Sequence, residues 1–211
     1  MTHAVQTESR SEQRRREVAE AACRVILRRG LERTTVRDIS REGGFTSGVL
    51  THHFPDKQAV IVGAFMSASE RFEAYVHETL AKARSSEELL TTLVAVGIPE
   101  SEERRAEWRL WSEMWTYAGR DADFAQQLVD TDKRWEELIA TVLRRSRDDG
   151  LLRADLDVAA HAGILARLID GAGLRAWLTG DWVKARRQVV RHLGALGMPE
   201  SIQATLEGPD T

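Results

Sequence analysis

Cysteine is nearly absent: Cys23 is the single one in 211 residues. One thiol cannot close a disulfide within the chain, which points to a reducing, cytoplasmic setting. Cys23 lies among Val18, Ala22 and Ile26 on an apolar stripe, so it reads as a buried core thiol. Long apolar runs are missing as well. None approaches the roughly 20 residues of a membrane helix, and no membrane association is expected. The N-terminal stretch MTHAVQTESRSEQRRR lacks the apolar centre of a secretory signal and reads as a disordered arm over residues 1–11. Enzyme signatures are lacking too. There is no GxSxG elbow, no phosphate loop ending in Gly-Lys-Ser/Thr, no HExxH and no Cys/His cluster. Gly43 to Gly48 is glycine-rich, but no strand precedes it as a dinucleotide fold requires. The acidic pairs Asp148-Asp149 and Glu102-Glu103 fall near helix ends, where solvated charge explains them. No catalytic residue, cofactor or metal is expected.

What the chain does have is helical periodicity throughout, with no alternating strand pattern. Val18, Ala21, Ala22, Val25 and Ile26 follow the spacing of an amphipathic helix that Gly30 ends. Two short helices follow, then a long fourth one from Asp56 to about residue 84. Further helices are expected from Ser85 to Gly97, over 102–117, over 121–149, from Asp155 or Asp157 to 178, and from Asp181 to about 196. A frayed tail follows over 199–211. Nine helices joined by short loops make an all-α protein: a three-helix head over 12–55 and a bundle over 56–198. Net charge is −3, yet residues 1–57 carry ten arginines and one lysine against eight acids. A mildly basic head on an acidic body suits a DNA-binding module joined to a sensor domain.

The head contains the most informative stretch, TVRDISREGGFTSGVLTHHFPDK, from Thr35 to Lys57. Thr35 can cap a helix whose first turn holds Asp38. Gly43-Gly44 supplies the permissive backbone of a tight turn. Thr46 or Ser47 then caps a second helix, with Leu50 and Phe54 inward and Ser47, Thr51 and His52 outward. Pro55 ends it. An αα-hairpin inside a bundle would explain Ile39, Leu50 and Phe54, but not an exposed Thr/Ser/Gly/Thr/His face beside a basic flank. Adjacent His52 and His53 diverge by about 100° on a helix, so they cannot share one metal ion.

The run Gly44-Phe45-Thr46-Ser47-Gly48-Val49-Leu50-Thr51-His52-His53-Phe54, followed by Asp56-Lys57, resembles the helix-turn-helix of TetR-family transcriptional regulators. Phe45 stands where the family usually has Val, and Thr51 where it commonly has Tyr. The His-His-Phe ending is closer to the choline-responsive BetI branch. Residues 168–180 and the segment from Ala185-Arg186 onward resemble the last two helices of a BetI-like C-terminal domain. The resemblance implies a homodimer paired through those helices, and phosphate contacts at Thr35 and Lys57. Small residues at Ala159, Ala162, Gly163, Ala166 and Gly171 fit close helix approach, either across a dimer or within one chain. A two-fold places two reading helices in major grooves about 34 Å apart, so double-stranded DNA with a palindromic operator is the expected partner. His53 joins the phosphate candidates, with the Arg14-Arg15-Arg16 run as a further option. Arg37, Ser47, Thr51 and His52 are the candidates for base edges, with Val49 placed for a thymine methyl, Gly48 permitting the close approach that Ser47 and Thr51 need, and Thr46 a further DNA-binding candidate.

In the body, Trp108, Trp111 and Trp115 share one helix face, with Glu113, Tyr117 and Phe124 near. They form either a filled aromatic core or the wall of a cavity for a cationic, aromatic or apolar effector. His161, Arg167 and Asp170 on a later helix can add polar specificity or serve an interface. The function expected is a ligand-responsive repressor in which effector binding displaces the long fourth helix and alters the spacing of the two heads. The competing reading is a helical interaction or sensor module without sequence-specific DNA binding.

Overall fold

The computed structural model describes residues 9–207, which form ten α-helices and no strand. No helix among the described residues is long and apolar enough to cross a membrane. Contacts divide the chain into two compact units, one up to Phe72 and one from Glu73 onward.

In the first unit, α1 (Arg10–Arg29) opens on a capping box. The Glu12 amide donates to Ser9 Oγ at 3.2 Å and the Ser9 amide to Glu12 Oε2 at 2.9 Å. The helix therefore includes Arg10 and Ser11 of the expected arm; residues 1–8 lie outside the described residues. Its apolar stripe, Val18, Ala21, Ala22, Val25 and Ile26, is buried. Cys23 is buried with it, its Sγ 2.9 Å from the Ala64 carbonyl, and burial pushes the thiol above its ordinary range. The short helices α2 (Val36–Gly43) and α3 (Ser47–His53) are joined by Gly44, whose φ of 67° is left-handed. Helix α4 (Lys57–Leu80) starts where the Asp56 carboxylate accepts the Ala59 amide at 2.8 Å. Val60, Ile61, Ala64 and Phe65 of α4 are core residues, so its first turns belong to the head, and the unit boundary falls inside α4 instead of at Pro55. The helix also stops short of residue 84. Past Leu80 the chain tightens into i→i+3 bonds, Lys82 to Thr79 and Ala83 to Leu80.

The second unit holds α5 (Ser86–Gly97), α6 (Glu102–Ala118), α7 (Ala122–Asp148), α8 (Val158–Thr179), α9 (Trp182–Ala195) and α10 (Glu200–Glu207). Ser85, Ser101, Asp121, Asp157 and Asp181 each cap the helix that follows them by accepting a first-turn amide. Between Asp155 and Asp157, it is Asp157 that caps. The core joins Leu90, Leu93 and Val94 of α5 to Ile139 and Leu143 of α7, Leu165 and Ile169 of α8, and Val190 and Leu193 of α9. Each such side chain contributes about 1.5–3 kcal/mol by leaving water.

The tail departs from the nine-helix expectation. Residues 200–207 form α10, packed on α9 and α5. The Pro199 carbonyl accepts the Ile202 and Gln203 amides, Gln203 Nε2 donates to the Met198 carbonyl at 2.7 Å, and Ile202 is 2% exposed. A single apolar turn, Ile202 with Leu206, is enough to hold the segment down. Residues 208–211 lie outside the described residues.

Candidate nucleic-acid interface and effector site

Helix α3 anchors itself through Leu50 and the following Phe54, both buried. Around that anchor Thr46, Ser47, Gly48, Thr51 and His52 are exposed, with Val49 and His53 half-buried. Thr46 holds the N-cap position but makes no side-chain capping bond, so its hydroxyl is uncommitted there. Thr51 Oγ1 donates back to the Gly48 carbonyl at 3.2 Å, which leaves its lone pairs to accept. Beside this face is an open groove of about 590 Å³. Thr46, Gly48, Val49, His52 and His53 line one side, and Arg10, Ser11 and Arg14 of α1 the other. Among the described residues no carboxylate lines it, although Glu17 pairs with Arg14.

The charges around α2 are sorted. Arg24 and Arg28 both close on Glu42, whose carboxyl they hold down at about 2. Arg29 and Arg41 pair with Asp38. Thr35 Oγ1 donates to Asp38 at 2.7 Å and accepts the Asp38 amide at 3.1 Å, and this hydroxyl, followed by the two arginines, lowers the Asp38 pKa. The Thr35 hydroxyl proton is thereby engaged, so an anion at this helix start meets backbone amides first. Arg37 is exposed and belongs to none of these pairs. Lys57 opens α4, half-buried. Short polar side chains on an exposed helix face, flanked by cations, suit a major groove and its phosphates.

In the second unit the aromatic residues separate into two groups. Trp108 is a core residue whose indole lies against Gly173, where a Cβ would come within 2.0 Å of the ring. Trp115 and Trp182 stand beside it, ring centroids 6.2 and 6.4 Å away. Trp111 and Glu113 are half-buried on the same helix. Tyr117 instead meets Phe124 edge-on at 5.4 Å. Trp182 was not among the expected residues; only its place after the Asp181 cap hinted at an inward position.

The later helix contributes two separate features. Asp170 faces Asp132 and Glu136 of α7, while Arg167 Nη1 donates to Glu136 at 2.7 Å. Burial and then Asp132 push the Asp170 carboxyl up to about 7. Asp132 is raised by burial as well. Three carboxyls against one guanidinium can hold a proton or attract a cation. Asp132 and Glu136 were missed, although their i, i+4 spacing on α7 placed both on one face. His161 lies about 13 Å back towards the start of α8, at 1.5 Å per residue, and meets His192 of α9 with ring centroids 5.9 Å apart.

The chain matches two family models. One, described as bacterial regulatory proteins, tetR family, covers residues 18–63; the other, described as BetI-type transcriptional repressor, C-terminal, covers residues 86–197. The HTH-type transcriptional regulator PksA of Bacillus subtilis is 25% identical over 94% of this chain and 97% of that protein. The HTH-type transcriptional repressor KstR2 of Mycolicibacterium smegmatis is 31% identical over 84% of this chain and 83% of its own. A protein from Saccharomonospora viridis, described as a transcriptional regulator and solved in complex with choline, superposes with a TM-score of 0.76. It is 27% identical, over 86% of this chain and 96% of that one.

Proposed function

Because this chain belongs to the TetR family of transcriptional regulators, with a BetI-type C-terminal domain and not an enzyme's, we propose that it is a homodimeric repressor released from a palindromic operator by a small molecule. The observation that carries this reading is the exposed polar face of α3 beside a groove whose far side is lined by Arg10 and Arg14. On this reading Arg37, Ser47, Thr51 and His52 meet base edges, Val49 meets a thymine methyl, Thr46 and Gly48 lie against the duplex, and Thr35, His53 and Lys57 meet phosphates. The unit that ends inside α4 is the DNA-binding domain and the unit from Glu73 onward the effector and dimer domain, working in the cytoplasm where the DNA is.

The dimer forms through α8 and α9. Ile164 is 50% exposed, Leu178 68% and Val183 58%. Leu168, Gly171 and Arg175 join Ile164 and Leu178 in a 4-3-4-3 spacing, which keeps one seam facing a partner helix. The effector is a cation with apolar or aromatic parts. The half-buried Trp111 and Trp115 and the carboxyls around Asp170 support that class, and the choline complex of the Saccharomonospora protein agrees with it. Trp108, Glu113, Tyr117, Phe124 and His161 complete the proposed effector residues. Effector binding acts through α4, the helix that begins in the DNA-binding unit and ends in the other. Moving the equilibrium from 1:99 to 99:1 requires about 5.5 kcal/mol of differential affinity.

A gel-shift titration with palindromic duplexes from the region upstream of the gene tests the reading. Binding should occur, weaken steeply with salt, and be relieved by a quaternary ammonium compound. Absence of binding to any of them contradicts it.

A further inference from the structure

Two contacts in the first unit converge on Phe45, and a third holds the arginine above it. A Cβ at Gly43 would lie 2.0 Å from the Phe45 ring, so the ring folds back across the end of α2 into space that only a glycine leaves. The Arg14 guanidinium sits over that ring, 5.6 Å from its centroid. Glu17 holds it at 2.7 Å, in a pair where the arginine side chain is 50% exposed. Arg10 precedes Arg14 by four residues on α1, which stacks the two on one helix face. Both line the groove that also contains Thr46, Val49 and His52.

We propose that Arg10 and Arg14 bind backbone phosphates of the duplex that α3 reads, and that Phe45 is the positioning residue that aims Arg14. The inference rests on the DNA-binding reading and extends its surface from α3 to the first two turns of α1. The chemistry is specific. With the flat face of the Arg14 guanidinium occupied by an aromatic ring, its N–H edge remains, and that edge matches two phosphate oxygens. The exposed pair with Glu17 exchanges for a phosphate at little cost. A ring contact made before binding also limits the rotamers that DNA would otherwise have to freeze out. Two cations lining a groove beside the reading helix suit a polyanion and no neutral partner.

The test is fluorescence anisotropy with a short duplex enriched from a random-sequence pool, titrated over a salt series. The full chain is compared with Arg10→Gln/Arg14→Gln and with a charge-matched control remote in sequence, Lys82→Gln/Lys133→Gln. A dimer that loses four phosphate contacts should show a slope of log affinity against log salt shallower by about 3.6, while the control keeps its slope. Phe45→Val should weaken binding less than Arg14→Gln does. Added to Arg14→Gln, it should weaken binding no further, with thermal melting confirming that each variant is folded. An unchanged slope in the double arginine variant, with the full chain still binding, overturns this inference and leaves the DNA-binding reading standing. Loss confined to particular sequences overturns it too, because it would mean base contact. Failure of the full chain to bind any duplex from the pool defeats both.

Discussion

Burial and the neighbouring Asp132 raise the Asp170 carboxyl to about 7, from 3.8 in an unfolded chain. The folded state therefore keeps a proton that the unfolded state releases, and stability falls as pH rises from 3.8 through 7. Asp170→Asn should raise Tm by about 2–4 °C at pH 8, for each 1 kcal/mol of relieved charge, and leave it nearly unchanged at pH 4. A cationic effector should bind more tightly as pH passes 7, since the carboxylate it would neutralise then exists. Thermal-shift titration at both pH values checks each point. Glu42 has the opposite sign. Arg28 and Arg24 hold its carboxyl at about 2 against 4.5 unfolded, so its stabilisation is complete above pH 4.5 and lost as pH falls towards 2. Glu42→Gln should flatten the acid limb of the melting profile in that window.

Among the elements, those with strong local signals are legible in the sequence. Thr35, Ser85, Asp121 and Asp181 are short acceptors directly before apolar periodicity, and each caps its helix. Leu50 and Phe54 fell on the inner face of α3, as their spacing required. What the sequence concealed depends on distant partners. Nothing near Gly173 reveals that Trp108, 65 positions earlier, lies against it. Nor does a chain past a proline announce that one isoleucine will find a core. These two hidden packings are testable. Gly173→Ala should cost about 1–3 kcal/mol by driving a methyl into the Trp108 ring, and should shift tryptophan emission. Ile202→Ala should cost about 2–5 kcal/mol in chemical denaturation if α10 is part of the core.

For the whole molecule, the proposed two-fold symmetry would convert a small reading helix into a selective regulator. One α3 offers few base contacts, and two at fixed separation multiply their discrimination. Leu178→Arg places a charge in the exposed seam of α8, and it should shift sedimentation towards the monomer while leaving helicity intact. The same variant should lose operator affinity without touching any residue near DNA. The most direct measurement is affinity for duplexes whose two half-sites are moved apart one base pair at a time. Binding should peak when half-site centres lie about 10 base pairs apart, one helical turn, and collapse about half a turn later. Affinity indifferent to that spacing would contradict paired α3 helices reading successive major grooves.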